Sequence, residues 1–150
     1  MLKNSTYIQR IKYNFDMTKR DVTHLSYEII GSAIKVHKAL GPGLLEGVYE
    51  KCLKYDLEQK GYQVLQQAFV PIHYDKMIIN SELRIDLLVN ATVVVEIKTV
   101  EQMLPVHEAQ LMTYMKLLKV PQGLLVNFFT NNISKSYKPF VNEYFKNLPE

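Results

Sequence analysis

Asp86, Glu96 and Lys98 lie in one β-rich stretch, Arg84 to Lys98, and are of the residue types that bind a hard cation and steady a phosphate. Their relative placement follows from the register of the hairpin that this stretch encodes. A two-residue loop, Asn90-Ala91, would set Asp86 opposite Val95 and Ile85 opposite Glu96, mixing charge with aliphatic groups on both faces. Such mixing defeats a core. A three-residue loop, Asn90 to Thr92, pairs Ile85, Leu87 and Val89 with Ile97, Val95 and Val93 and makes one face entirely aliphatic. The other face then sets Asp86 across from Glu96, with Lys98 two residues further on. Directly opposed residues have Cβ atoms about 4.5–5.5 Å apart. Carboxylates that close repel, and one takes up a proton unless a cation lies between them. Mg2+ or Mn2+ suits two or three hard oxygen ligands, because these ions keep several waters and share phosphate oxygens with a substrate. Lys98 shares the acidic face by the period of 2 along a strand. Its ammonium would steady an attacking water or the charge that builds on a phosphate. The plain alternative is a solvent-facing Asp/Glu/Lys patch. Leu88 and Val94 argue against it, since they share that face and predict partial cover, where an uncompensated acid pair is costly.

The elements that position these residues can be read from periodicity. Leu25, Ile29, Ile30, Ala33, Ile34, Val36, His37 and Leu40 recur at helical spacing and predict a helix from Ser26 to Leu40, ended by Gly41-Pro42-Gly43. A second helix is expected from Glu46 to Lys60, stopped by Gly61. From Tyr62 to Val100 β-branched runs dominate, and strands are expected over Val64–Ile72, Ile72–Ile79, Leu83–Val89 and Val93–Val100, with turns at Asp75-Lys76 and Asn90-Ala91. Pro105 precedes a third helix, His107 to Leu118. Gly123–Thr130 reads as a buried strand and Ser136–Val141 as an edge strand. With no repeat or low-complexity tract, the reading is one α+β domain with a mixed sheet.

The chain has 150 residues, 47% of them apolar and 22% charged, with 6 Gly and 6 Pro. A domain of this size buries roughly 68–70% of its unfolded surface, so neither disulfide nor structural metal is required. Cys52 stands alone, which excludes an internal disulfide and a thiolate zinc cluster and fits a reducing cytoplasm. No secretory h-region is visible, and no uncharged apolar run approaches the ~18 residues of a membrane span. The 18 basic and 15 acidic residues give a net charge of +3. Lys3, Arg10, Lys12, Lys19 and Arg20 against Asp16 and Asp21 place that excess in residues 1–22 and leave 13 of each sign in residues 23–150. The division expected is a flexible basic arm over 1–22, able to touch phosphate or simply solvated, and a single charge-balanced domain over 23–150.

Gly43-Leu44-Leu45-Glu46-Gly47-Val48-Tyr49 matches a GxxExxY signature. With Leu25–Gly31, Gly41-Pro42-Gly43, Arg84-Ile85-Asp86, Glu96-Ile97-Lys98 and Pro105–Leu111, roughly two thirds of the chain resembles the GxxExxY proteins, small members of the PD-(D/E)xK nuclease superfamily. The resemblance implies a restriction-endonuclease-like fold, a central mixed β-sheet flanked by helices. It implies Asp86 and Glu96 as metal ligands, Lys98 as the catalytic lysine, and Glu46 as the acid of the first core helix and a further ligand. Gln110 and Tyr114 match the Q-x-x-x-Y element of nuclease subfamilies related to exonucleases. Ile85 replaces the usual Pro of the motif, a common variation.

Each assignment has a plainer competitor. Glu46 in a first helical turn is favoured by the helix dipole whether or not it does chemistry. Tyr49, at i+3, either bonds to Glu46 or packs. Gln110 and Tyr114, at i and i+4, form a polar stripe that a solvated face would also show. His107 is expected to cap or pack, since zinc would need further His or Cys at ligand spacing. Taken together, the residues predict a Mg2+- or Mn2+-dependent nuclease acting on phosphodiester bonds of DNA, or of RNA, in the cytoplasm, without membrane association and with a homodimer open. The alternative is a non-catalytic nucleic-acid-binding or regulatory module that keeps the fold. A phosphohydrolase of small nucleotides ranks last, because no G-x-x-x-x-G-K-[ST] loop is present.

Overall fold

A computed structural model describes residues 16–150. Helix α1 spans Lys19–Leu40 and α2 Glu46–Gln59. Strands β1 (Val64–Phe69), β4 (Arg84–Val89), β5 (Val93–Lys98), β6 (Gln122–Asn127) and β7 (Tyr137–Val141) form one sheet in the order β1-β4-β5-β6-β7. Between β1 and β4 a separate hairpin pairs β2 (Ile72–Tyr74) with β3 (Met77–Ile79) about the Asp75-Lys76 turn. Helix α3 (Pro105–Leu118) connects β5 to β6, and a short α4 (Glu143–Lys146) closes the chain. The β5–β6 pair is parallel and the other neighbours are antiparallel. This is the expected mixed central sheet between helices. The parallel pair needs a crossover, and α3 supplies it.

Helix α1 begins seven residues earlier than the periodicity predicts. Thr18 Oγ1 accepts from the Asp21 N–H (3.1 Å) while Asp21 Oδ2 accepts from the Thr18 N–H (2.9 Å), a reciprocal cap that starts the helix at Lys19. The Lys19 N–H donates to Pro149 O and its ammonium pairs with Glu150, both at 2.7 Å, so this end is tied to the chain's C-terminal residues. The expectation of a free arm over 1–22 therefore needs correction at its end: Lys19 to Val22 are helical, and Val22 is fully buried. Residues 1–15, with Lys3, Arg10 and Lys12, lie outside the described residues.

Both sheet faces are covered. Leu87, Val89, Val93, Val95 and Ile97 join Leu124 and Val126 under Ile29, Ala33, Tyr49, Leu53 and Leu57 of α1 and α2. Leu88, Val94 and Leu125 pack with Leu111 and Met115 of α3 on the other face. A Cβ on Gly123 would sit 2.7 Å from Met115 Sδ and 2.8 Å from Leu111 Cδ1, so the bare backbone there sets how closely α3 lies on β6. Ile85, expected beside Leu87 and Val89, is buried instead with Leu88 and Val94. Its departure marks a break in the strand's alternation at Asp86.

The α1–α2 connection is locked from inside. Gly41 (φ 74°) and Gly43 (φ 98°) take left-handed values around Pro42 that glycine adopts without strain. The buried Tyr49 hydroxyl donates to Gly41 O (2.6 Å) and accepts from the Leu44 N–H (3.1 Å), and its ring stacks on Phe128 with centroids 4.3 Å apart. Tyr49 thus holds the turn rather than bonding to Glu46. Tyr49→Phe leaves a backbone donor and acceptor unpaired and should cost about 1–3 kcal/mol. Urea unfolding at equilibrium measures it, and an unchanged midpoint would show that the hydroxyl is dispensable.

Candidate active site

The β4–β5 hairpin turns on Asn90 and Ala91, both at positive φ, with the Thr92 N–H donating to Val89 O (2.9 Å). Leu87 pairs with Val95, Leu88 with Val94 and Val89 with Val93, the register of the three-residue loop. Beyond Leu87 and Val95 the recorded backbone pairing ends, and side chains take its place. The Ile97 N–H donates to Asp86 Oδ2 (2.7 Å) and the Asp86 N–H donates to Glu96 Oε1 (3.2 Å). Each carboxylate thereby satisfies backbone of the neighbouring strand that the ladder leaves open.

Glu96 is buried and Asp86 half-buried, at some electrostatic cost. Glu96 is 7% exposed. Burial, and then the charge of Asp86 beside it, push the Glu96 carboxyl up to about 8. Burial also raises Asp86, with the charge of Glu46 adding to the rise, while the Ile97 N–H, the Lys98 ammonium and the Gln67 amide oppose it. Lys98 lowers Glu96 as well, making it the cation that serves both acids. Half-buried Tyr114 on α3 has its phenol raised by burial and by the charges of Glu96 and Asp86. Glu96, Lys98, Glu46 and Tyr114 are thus all brought into electrostatic contact with Asp86. Gln110 lies one turn before Tyr114, exposed, and makes no recorded hydrogen bond to the acids.

Glu50 and Gln67 also belong to the cluster, although their types and spacing did not single them out. Glu50 is 4% exposed, and burial raises its carboxyl, with Asp86 contributing. Its signal in the sequence was position, four residues after Glu46 and so on the same face of α2. The Gln67 side-chain N–H groups donate to Glu50 Oε1 (2.8 Å) and Asp86 Oδ1 (3.2 Å). On the far side of Lys98, Asn127 fixes the departing chain: its Oδ1 accepts from the Val100 and Phe129 N–H groups and its amide donates to Val100 O. His107 Nδ1 accepts from the Leu104 N–H (3.1 Å) at the start of α3, the capping role expected of it.

A divalent cation fits this donor set. Two neighbouring carboxyls driven toward the neutral form chiefly by burial, with the charge of Glu46 adding to the rise of Asp86 and that of Asp86 to the rise of Glu96, are stabilised in their charged form by added positive charge. Among the described residues no three His, Cys, Asp or Glu side chains converge as a ready ligand set. Asp86 and Glu96 would therefore hold an ion that keeps much of its water, as Mg2+ does.

A mixed α/β sheet that opens an Asp, Glu and Lys triad at the end of its central hairpin is the framework of a hydrolytic nuclease. Residues 23–140 match the family model of the PD-(D/E)XK nuclease superfamily, and the chain belongs to that family. Its nucleases typically use divalent metal ions. No curated protein and no solved structure matches the chain. Among the described residues, no helix is long and apolar enough to cross a membrane.

The raised Glu96 carboxyl has a signed consequence. The folded state binds its proton more tightly than the unfolded chain, so the stability it contributes is complete below about 4.5 and is lost as pH rises through about 8. In EDTA, the melting temperature of the wild type should fall between those limits more steeply than that of Glu96→Gln. At pH 8, Mn2+ should raise the wild type and leave the variant unmoved. Parallel pH profiles in a thermal-unfolding assay would show that Glu96 is ionised throughout.

Proposed function

We propose that the protein is a Mg2+- or Mn2+-dependent nuclease of the GxxExxY branch that hydrolyses phosphodiester bonds in DNA. One observation carries this reading: within a chain of the nuclease superfamily, buried Glu96 and half-buried Asp86 lie side by side, with Lys98 as the cation that serves both. Asp86 and Glu96 would hold the metal, with Glu46 as a further acid of the site. The ion, when bound, supplies positive charge at the phosphate and lowers the pKa of a bound water. The Lys98 ammonium offsets the charge that develops on the phosphate oxygens. Tyr114, its proton retained by burial and by the acids, donates a hydrogen bond toward a phosphate oxygen, and Gln110 extends the same helix face toward the polymer. A cleft of about 260 Å3 includes Asn127, the partner of Lys98 across β5–β6, together with Lys135 and the paired Lys138 and Glu108, and Lys135 offers a polyanion a further cation.

Purified protein incubated with single-stranded, duplex and branched DNA and Mg2+ or Mn2+ tests the reading. Cleavage is expected from the wild type and should drop at least about 100-fold in Asp86→Ala and Lys98→Ala. Cleavage that survives either substitution would sink the assignment. Saturable Mn2+ binding without cleavage of any substrate would favour the non-catalytic module.

The basic residues Lys3, Arg10 and Lys12 give the arm its own test. Deletion must stop at residue 15, because a longer cut removes the Thr18 cap of α1. Loss of residues 1–15 should weaken DNA binding and flatten the slope of log K against log salt by up to about 3. An unchanged slope, read by fluorescence anisotropy, would remove the arm from the interface.

A further inference from the structure

Gln67 stands inside β1 with φ at 51°, a left-handed value that L-residues other than Asn and Asp rarely adopt. Within β1 the positive φ is confined to this one residue. Gln66 pairs with Leu87 and Ala68 with Ile85, so the β1–β4 register is the same on both sides of it. The residue that this register sets across from Gln67 is Asp86. Strain of this kind persists only where the surroundings over-determine it, and it concentrates at functional sites.

The side chain shows what the distorted backbone achieves. A primary amide carries two N–H donors, and Gln67 directs one to Glu50 Oε1 at 2.8 Å and one to Asp86 Oδ1 at 3.2 Å. Asp86 is then held at both oxygens, since Oδ2 already accepts from the Ile97 N–H. Glu50, on α2, is joined to the sheet through the same amide. The chemistry of the link matters as much as its geometry. A lysine or arginine here would neutralise the acids and compete with a cation. A neutral amide orients both carboxylates and leaves their negative charge in place.

We propose that Gln67 is a positioning residue, kept in a strained backbone conformation so that one amide fixes Asp86 and Glu50 relative to each other and presets the acids that a divalent cation meets. The proposal rests on the metal-dependent reading of the site.

Gln67→Gly tests it, because glycine takes φ of 51° without strain and lacks the amide. The full-length variant should unfold in EDTA at or above the wild-type midpoint, yet bind Mn2+ about 10- to 100-fold more weakly by calorimetry, the usual loss when a ligand's outer partner is removed. A purely structural role gives the opposite pattern, lower stability with an unchanged Kd for Mn2+, and would overturn the proposal. A second measurement needs no metal. In EDTA, the unfolding free energies of Gln67→Gly, Glu50→Leu and the double variant should be non-additive, because the two side chains share one bond that either substitution removes. Additive effects would refute the link between them. If the wild type binds no Mn2+, the metal-dependent reading fails, and this cycle alone decides whether Gln67 holds Glu50.

Discussion

Two carboxyl groups stand where the β4–β5 ladder stops. The structure has to hold buried Glu96 beside half-buried Asp86 without giving either its own cation, and much of the surrounding architecture follows from how it does so. Ending the recorded backbone pairs after Leu87 and Val95 frees the N–H groups of Asp86 and Ile97, and the acids accept from them. Hydrogen bonding to carboxylate lowers its pKa, yet for both groups burial is the larger influence and the balance lies on the protonated side. A buried ion pair could have removed this tension within the protein. Lys98, half-exposed at the end of β5, moderates both acids and, among the described residues, makes no direct ion pair. The acid pair therefore retains an electrostatic demand for positive charge, which is what a site recruiting a cation requires.

Holding that pair in place calls for rigid neighbours in both layers. Helix α2 brings Glu46 and Glu50 toward Asp86 only if it leaves the Gly41–Gly43 turn at a fixed angle. Tyr49 enforces that angle through two backbone hydrogen bonds and a stacked Phe128. Tyr49 is in this sense architectural, and the placement of Glu46 and Glu50 depends on it. On the opposite face α3 carries Tyr114 to within the field of Glu96, and the depth at which it sits is governed by Gly123 beneath Leu111 and Met115. Buried apolar contacts of this kind resist small displacements, because interiors are packed near crystal density.

The hairpin register was legible in the sequence because a period of two offers few alternatives once one face must be aliphatic, and the loop length then followed. Helix and strand order, the edge position of β7 and the proximity of Asp86 to Glu96 came with it. Other features left no such trace. The start of α1 was hidden in Thr18-Lys19-Arg20-Asp21, which reads as polar arm although Thr18 and Asp21 cap each other. Glu50 resembled one more solvated charge on a helix, since burial of a lone acid depends on a partner distant in sequence. That partner, Gln67, carries its information in a backbone angle that no local residue pattern announces. Ile85 changed faces for the same reason: alternation holds only while the ladder holds, and the ladder fails at Asp86.

Charge balance bears on how such a domain could receive a polyanion. Residues 23–150 hold 13 basic and 13 acidic side chains, a composition with no obvious attraction for phosphate. Formal counting overstates the negative charge at the site, however. Glu96, Asp86 and Glu50 are all shifted toward the neutral form, so near neutral pH the cluster carries less than its three formal charges. Elsewhere acids are spent on cations: Asp56 pairs with Lys35, Glu28 with Lys60 and Glu108 with Lys138, each at 3.4 Å or less. Among the described residues, Lys98 at the site and Lys135 in the adjoining cleft form no such pair. A divalent ion at Asp86 and Glu96 would then offset the charge of both acids and leave Lys98 to face the phosphate. Local field, rather than net charge, is thus the quantity that decides whether a phosphodiester can approach.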